Sequence, residues 1–302
     1  MVDLSVLLLT KNGAQDLKRL LPVLFSQKTV APFEVIALDS GSTDETTNLL
    51  RQFPLRLVEI SPDQFHHART RNLAAGLATG KILIFLSQDA VPTSECWLGN
   101  LIASLDDPTV GAVYGRQLPR ERSVTERRDT FDVLYGAHRF VKDPAHRNGL
   151  GYRFYHFSDV NAAIRRSVWD ATRFPEDLKV FEDLGIAKRM LDRGWKIVYE
   201  PEAAVFHSHN HGTLGLFRRY FDIGYTLKLL KIWDAPGTQS SLRRDAWKML
   251  KKKLRTIGDS DRRLFEGLKH HIVKSAGLFL GLNQDYLPLT IKRHLSAFRV
   301  FG

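Results

Sequence analysis

The chain has 302 residues, 43% of them hydrophobic and 25% charged, the balance of a folding globular protein with room for one large core, or for one core and a smaller appendage. The single cysteine, Cys96, excludes an internal disulfide framework, and no apolar run approaches the roughly 18 residues of a membrane span. The formal charge of +11 is unevenly spread: residues 1–215 carry 26 basic and 26 acidic side chains, residues 216–302 carry 18 against 7, so the whole excess lies in the C-terminal stretch.

In chain order, the opening MVDLSVLLLTKNG is apolar but short and carries Asp3 where a leader would be basic. It reads as a first strand and not a signal peptide, so a cytoplasmic location is expected. Runs rich in Val, Ile, Leu and Phe predict strands at Leu4–Thr10, Phe33–Ser40, Leu55–Ile60, Lys81–Ser87, Val110–Gln117 and Trp195–Glu200. Helical patterns fall between them near Ala14–Gln27, Thr43–Arg51, His67–Ala78, Ser94–Ser104 and Glu182–Asp192. This alternation predicts an α/β fold with a mostly parallel central sheet flanked by helices.

In such sheets ligands bind beyond the carboxyl ends of the strands. Thr10, Lys11 and Asn12 follow the first strand, Asp39 and Ser40 open DSGSTDET after the second, and Ser87, Gln88 and Asp89 follow the fourth. The three clusters are expected to meet at one edge, with Asp89 in a cleft. Ser42 and Glu45 fit a capping box at a helix start; Asp39 is not needed for it and reads as a binding residue.

FHHARTRNLAAGLATGK puts His66, Arg69, Arg71 and Asn72 at a helix start, where free amides and the helix dipole favour an anion. Arg71 beside Asn72 is the better phosphate candidate; Arg69 reads as solvated. In VFEDLGIAKRMLDRGW, Glu182 and Asp183 begin a helix with Leu184, Ala187 and Leu191 on one face and Gly194 placed to end it. Acids in a first turn are as often simple dipole partners. His207, His209 and His211 recur at spacing two, either one functional face or a solvated one.

The ordered set TKN, DSGSTDET, TRNLAAGLATGKILIFLSQDA, FEDLGIAKRML and VFHSHNH resembles glycosyltransferase family 2, the inverting nucleotide-sugar enzymes of the GT-A fold. FHHARTRN with FLSQDAVP resembles its bacterial rhamnosyltransferase branch. The likeness covers roughly residues 3–212 and implies a GT-A catalytic domain over 1–215 followed by a basic, mainly helical region over 216–302. It implies donor-binding roles for Thr10, Asn12, Asp39, Ser40, Arg71, Asn72, Ser87 and Gln88. Asp89, in the SQDA that stands at the family's Asp-X-Asp motif, and His207 become metal ligands for Mn²⁺ or Mg²⁺. Asp183, in its pair with Glu182, becomes the catalytic base. Ser87 stands where many relatives carry the first aspartate, which removes one negative charge beside the nucleotide sugar. Asp159 and Asn161, in the Arg116–Ala163 segment, resemble acceptor-side or sugar-side positions.

The expected activity is transfer of a sugar, L-rhamnose from dTDP-rhamnose in the first instance, to a saccharide or lipid-linked saccharide acceptor in cell-surface polysaccharide (O-antigen) synthesis. A UDP-hexose donor is the alternative. In the C-terminal stretch Phe217, Tyr220, Phe221, Tyr225, Leu229 and Leu230, interleaved with Arg218, Arg219, Lys228 and Lys231, read as a basic amphipathic helix, reinforced by Lys248–Arg255. Such a helix lies on an anionic membrane surface, here the inner face of the cytoplasmic membrane, or packs its aromatics on the catalytic domain. The same charge would suit a nucleic-acid binder, but that reading leaves Asp39, Asp89, Asp183 and His207 without a task. A nucleotidyltransferase would show a Gly-rich basic loop where TKNGAQD stands.

Overall fold

Strand β1 (Leu4–Thr10) is buried along almost its whole length, which a strand tolerates only when both faces of its sheet are covered. The structure, a computed structural model, describes residues 3–28, 31–120, 134–147, 150–208, 212–255 and 261–301. Along the chain follow α1 (Ala14–Phe25), β2 (Phe33–Asp39), α2 (Thr46–Leu50), β3 (Arg56–Glu59), α3 (His67–Leu77), β4 (Ile82–Ser87), β5 (Val91–Pro92), α4 (Trp97–Ala103) and β6 (Val110–Leu118). Then come β7 (Phe140–Lys142), α5 (Tyr152–Tyr155), β8 (Asn161–Arg165), α6 (Arg166–Thr172), α7 (Glu182–Asp192) and β9 (Lys196–Phe206). The C-terminal helices are α8 (Thr213–Leu229), α9 (Thr238–Arg255), α10 (Asp261–Leu282) and α11 (Leu289–Leu295).

Among the described residues the strands form one mixed sheet in the order β3-β2-β1-β4-β8-β6-β9-β5, with β7 also on β9. Strands β3, β2, β1 and β4 are parallel. Strand β8 runs antiparallel between β4 and β6. Alternate side chains feed two cores. Leu7, Ile36, Leu38 and Phe85 meet α3 and α7 on one face, while Val6, Leu8, Ala37 and Ile84 meet Leu17, Leu21 and Leu24 of α1 and Trp97 of α4 on the other.

The six strands expected from the sequence all form, and β5, β7 and β8 are additional. Strand β8 reads NAAIR, too poor in β-branched and aromatic residues to signal a strand by itself; it exists because Ile164 and Ala162 fill the gap between β4 and β6. The Ser42–Glu45 capping box does not form. Helix α2 begins at Thr46 without a side-chain cap, because the Ser42 hydroxyl is committed to Asp39.

The C-terminal helices are packed onto the body rather than laid beside it. Leu227, Ile232 and Leu282 belong to the same hydrophobic cluster as β1, β2 and β4. Helices α8 and α10 approach so closely that a Cβ at Gly281 would stand 2.0 Å from the Phe221 carbonyl oxygen and one at Gly277 2.4 Å from that of Phe217. The buried Asp222 carboxylate then accepts the Ala297 and Phe298 amides at 2.8 and 3.1 Å, fastening the end of the chain to α8.

Candidate active site

The three polar clusters do meet. Register pairs Thr10 with Asp39 and Leu9 with Ser87, so β1, β2 and β4 end side by side. Thr10 Oγ1 donates to Asp39 Oδ2 at 2.9 Å. Gly41, at φ +78°, turns the chain back so that the Ser42 amide and hydroxyl both reach the Asp39 carboxylate, at 2.7 and 2.6 Å. Asn12 crosses between the loops, its amide donating to Ser42 Oγ and its Oδ1 accepting from the Thr43 amide, both at 2.8 Å. Ser40 Oγ donates to the Thr10 carbonyl, and Gln88 clamps both backbone groups of Lys11. Ser87 is half-buried beside this edge, its amide held by the Val160 carbonyl.

Asp89 and His207 come from the ends of β4 and β9, with His207 Nε2 3.5 Å from Asp89 Oδ2. Gln117, at the end of β6, fixes the imidazole. Its amide nitrogen donates to the Tyr135 hydroxyl and to Ser158 Oγ, so its Oε1 accepts from His207 Nδ1 at 2.9 Å. The ring is thereby held with Nε2 toward the Asp89 carboxylate. An imidazole nitrogen and a carboxylate oxygen brought this close at the ends of two strands are the donor types a divalent cation takes, so His207 and Asp89 fit as two of its ligands. Among the described residues no set of three or more His, Cys, Asp or Glu is grouped to hold a metal. The remaining ligands would come from substrate and water. His209 and His211 lie outside the described residues.

The second centre is acidic. Arg71, reaching from α3, places Nε 2.6 Å from Asp159 Oδ2 and Nη1 2.7 Å from Glu182 Oε1. Asp183 follows at the start of α7, its Oδ1 accepting the Leu184 amide at 2.7 Å. Burial raises Asp183 well above the usual carboxylate range, and the neighbouring charges of Asp159 and Glu182 add to that. Burial pushes Asp159 up to about 6 against the pull of Arg71. His67 beside them is pushed down to about 4 by burial and by Arg71. Phe181, which leads into α7, holds a left-handed conformation at φ 57°, ψ 35°.

A cavity of about 820 Å³ joins the acidic centre to His207, lined by Arg71, Asp159, Glu182 and Asp183, by Gln117 and His207, and by residues of α8 and α10. Three expectations need correction. Arg71 faces Asp159 and Glu182, so its guanidinium is engaged by carboxylates and not laid open to a diphosphate. Asn72 spends its amide on the Phe174 carbonyl, Glu176, the Trp169 indole and the Phe174 amide; it anchors the 172–176 segment. Asn161 is fully buried between the Trp97 indole and the Ala203 carbonyl, so it braces strands and does not face an acceptor. Sequence reading missed Gln117, Phe181 and the C-terminal wall. Gln117 carried a usable signal as a polar residue at a strand's carboxyl end.

Residues 5–172 match the family described as Glycosyl transferase family 2, and the chain belongs to that family. It is 37% identical over 202 residues to the O-antigen chain rhamnosyltransferase WbaN of Salmonella anatum, covering 66% of this chain and 64% of that one. RfbN of Salmonella typhimurium, with the same description, is 37% identical over 201 residues at the same coverage. The chain thus spans a little under two thirds of these curated relatives. In fold it is similar to the mannosyltransferase PcManGT of Pyrobaculum calidifontis, solved with GDP-Man and Mn²⁺, at TM-score 0.63, 19% identity and 92% and 86% coverage of this chain and that one. S. aureus TarS 1–349 in complex with UDP gives TM-score 0.57 at 18% identity, covering 76% of this chain and 64% of that one. The fold is that of GT-A glycosyltransferases.

Proposed function

We propose that the protein is an inverting glycosyltransferase that moves L-rhamnose from dTDP-rhamnose to a saccharide or lipid-linked saccharide acceptor in O-antigen-type polysaccharide synthesis. The observation that carries this reading is one cavity lined both by Asp183, a carboxylate of raised proton affinity, and by His207, the partner of Asp89. Identity to two rhamnosyltransferases favours rhamnose; a UDP-hexose is the other donor to test.

The donor's nucleoside lies against Thr10, Asn12, Asp39 and Ser40, with Ser87 and Gln88 at the diphosphate side. Asp183 takes the proton of an acceptor hydroxyl, and the oxygen forms a bond to the anomeric carbon as the bond to the diphosphate breaks. The electron pair leaves with the diphosphate, and the anomeric configuration inverts. Arg71, Asp159 and Glu182 hold Asp183 in place and set its proton affinity. Asp89 and His207 would hold Mn²⁺ or Mg²⁺, which supplies positive charge against the leaving diphosphate.

No helix among the described residues is long and apolar enough to cross a membrane. Attachment to an anionic surface at the inner face of the cytoplasmic membrane is part of this proposal, but not through the α8 aromatics: Phe221 is buried and Tyr225 packs on Phe301. It rests on the exposed Trp247, Ile272, Phe279 and Leu289 within the basic C-terminal region. Failure to sediment with anionic liposomes at low salt would remove it.

Calorimetric titration with dTDP-rhamnose and with UDP-glucose, each with and without Mn²⁺, tests the donor. Metal-dependent binding of dTDP-rhamnose alone is expected. Binding of UDP-glucose alone replaces the donor, and binding of neither by a folded sample removes this reading.

A further inference from the structure

Asp183 stands two residues after a strained turn. Phe181 leads into α7 in left-handed backbone, φ 57°, ψ 35°, and without a side-chain cap, a conformation unfavourable to any residue with a Cβ. Its carbonyl still accepts the Gly185 amide at 3.2 Å, and Asp183 Oδ1 accepts the Leu184 amide at 2.7 Å, so the turn decides where the carboxylate stands. Such strain persists only where the surroundings impose it. Here they come from the C-terminal region: the Arg219 guanidinium of α8 lies 5.5 Å from the centre of the Phe181 ring, and Phe298 meets the same ring edge-on at 6.2 Å.

What holds Phe298 is Asp222, one turn beyond Arg219 on α8. Its side chain is wholly buried, and Oδ2 accepts both the Ala297 and the Phe298 amides, a convergence that suits an anionic acceptor. Lys179, two residues ahead of Phe181, donates to the Arg299 carbonyl at 3.1 Å, and Phe301 packs on Phe221 and Tyr225 at 6.0 and 4.9 Å. Residues 296–301 are therefore a strap, pinned to α8 on both sides of Phe298 and tied to the segment that enters α7. We propose that Asp222 is a positioning residue for the base: it sets the strap so that Phe298 seats on Phe181, and the seated Phe181 fixes the start of α7 and with it Asp183. This rests on the glycosyltransferase reading above and gives Asp222 no contact with substrate. Full burial of a carboxylate is costly, and here the cost falls where the strap must be held in one register. Alanine at 222 would release both amides, and asparagine would add a buried NH₂ in need of an acceptor.

Amide hydrogen exchange on the full chain, without ligand, tests this sequence of contacts. Asp222→Ala and Phe298→Ala should each speed exchange of the Leu184 and Gly185 amides by about tenfold, while the amides of β1 keep their wild-type rates. Phe298→Leu, which keeps an apolar side chain against Phe181, should exchange close to wild type at both positions. Phe298 is 37% exposed, so its truncation opens no core cavity, and it carries the readout should Asp222→Ala not fold. Because Phe298 also lines the cavity, exchange, which needs no substrate, is the deciding measurement. Transfer should fall by about 10–100-fold in the two alanine variants, in kcat and not in the donor KM, with nucleotide-sugar binding unchanged. Unaltered exchange at Leu184 and Gly185, equal acceleration throughout β1, or full transfer by a variant whose α7 start is loosened overturns the positioning role and leaves the enzyme reading standing. Failure of the wild-type chain to bind any nucleotide sugar instead removes the reading beneath it, whatever the exchange shows.

Discussion

The Nε of Arg71 lies 2.6 Å from Oδ2 of Asp159, and through Nη1 the same guanidinium reaches Glu182 at 2.7 Å. One buried cation therefore holds two acids from distant parts of the chain beside a third, Asp183. Removing it leaves these carboxylates uncompensated, so Arg71→Ala is expected to cost about 3–5 kcal/mol of stability and most of the activity. Arg71→Lys keeps the charge but loses the two-pronged geometry and should recover only part of either. Chemical denaturation beside transfer assays measures both.

Asp183 must be ionised to accept a proton, and its affinity for that proton is raised by burial and by Asp159 and Glu182. The rate should therefore fall as pH drops through that raised value. Asp159→Asn removes a negative neighbour, makes ionisation of Asp183 easier, and should move the acid limb of the kcat/KM profile to lower pH. Asp183→Asn should lose transfer by about 10²–10⁴-fold with nucleotide-sugar binding retained. Full activity in that variant overturns the base assignment.

Gln117 Oε1 lies 2.9 Å from His207 Nδ1 and holds the ring with Nε2 toward Asp89. Gln117→Leu is expected to weaken Mn²⁺-dependent donor binding by about 10–100-fold without touching the donor. Asp89→Ala and His207→Ala should weaken it further, as read by calorimetry with and without metal. Unchanged affinity in Asp89→Ala with Mn²⁺ present counts against a metal role there.

Phe181 is a non-glycine residue in left-handed backbone, one position before the acidic pair. Phe181→Ala keeps the unfavourable conformation and loses the ring under Arg219, whereas Phe181→Gly loses only the ring. The glycine variant should be more stable than the alanine variant by roughly 1–2 kcal/mol. Both should lower kcat more than they raise the KM of the donor.

Asn161→Ala separates bracing from recognition. It strands the Trp97 indole N–H and the Ala203 carbonyl in the core, at a cost of about 1–3 kcal/mol. The acceptor KM should stay as it was.

The sequence alone determined the strand-ending polar clusters and the family, because hydrophobic runs of fixed period and local motifs such as DSGSTDET and SQDA are written in adjacent residues. It placed Thr10, Asp39 and Ser87 at one edge, since successive parallel strands must end on the same side. It could not tell Asn72 and Asn161 from ligand-binding residues, because an amide satisfied by the Phe174 or Ala203 carbonyl reads the same as a free one until distant chain segments are packed. Nor could it show Arg71 turned to Asp159, 88 residues away, or β8 inserted between β4 and β6. The C-terminal wall is the clearest case. Its residues signalled only charge and amphipathicity, and whether Tyr220 and Arg219 met solvent, membrane or the catalytic cavity was decided by the close α8–α10 contact that burial of the shared core imposes.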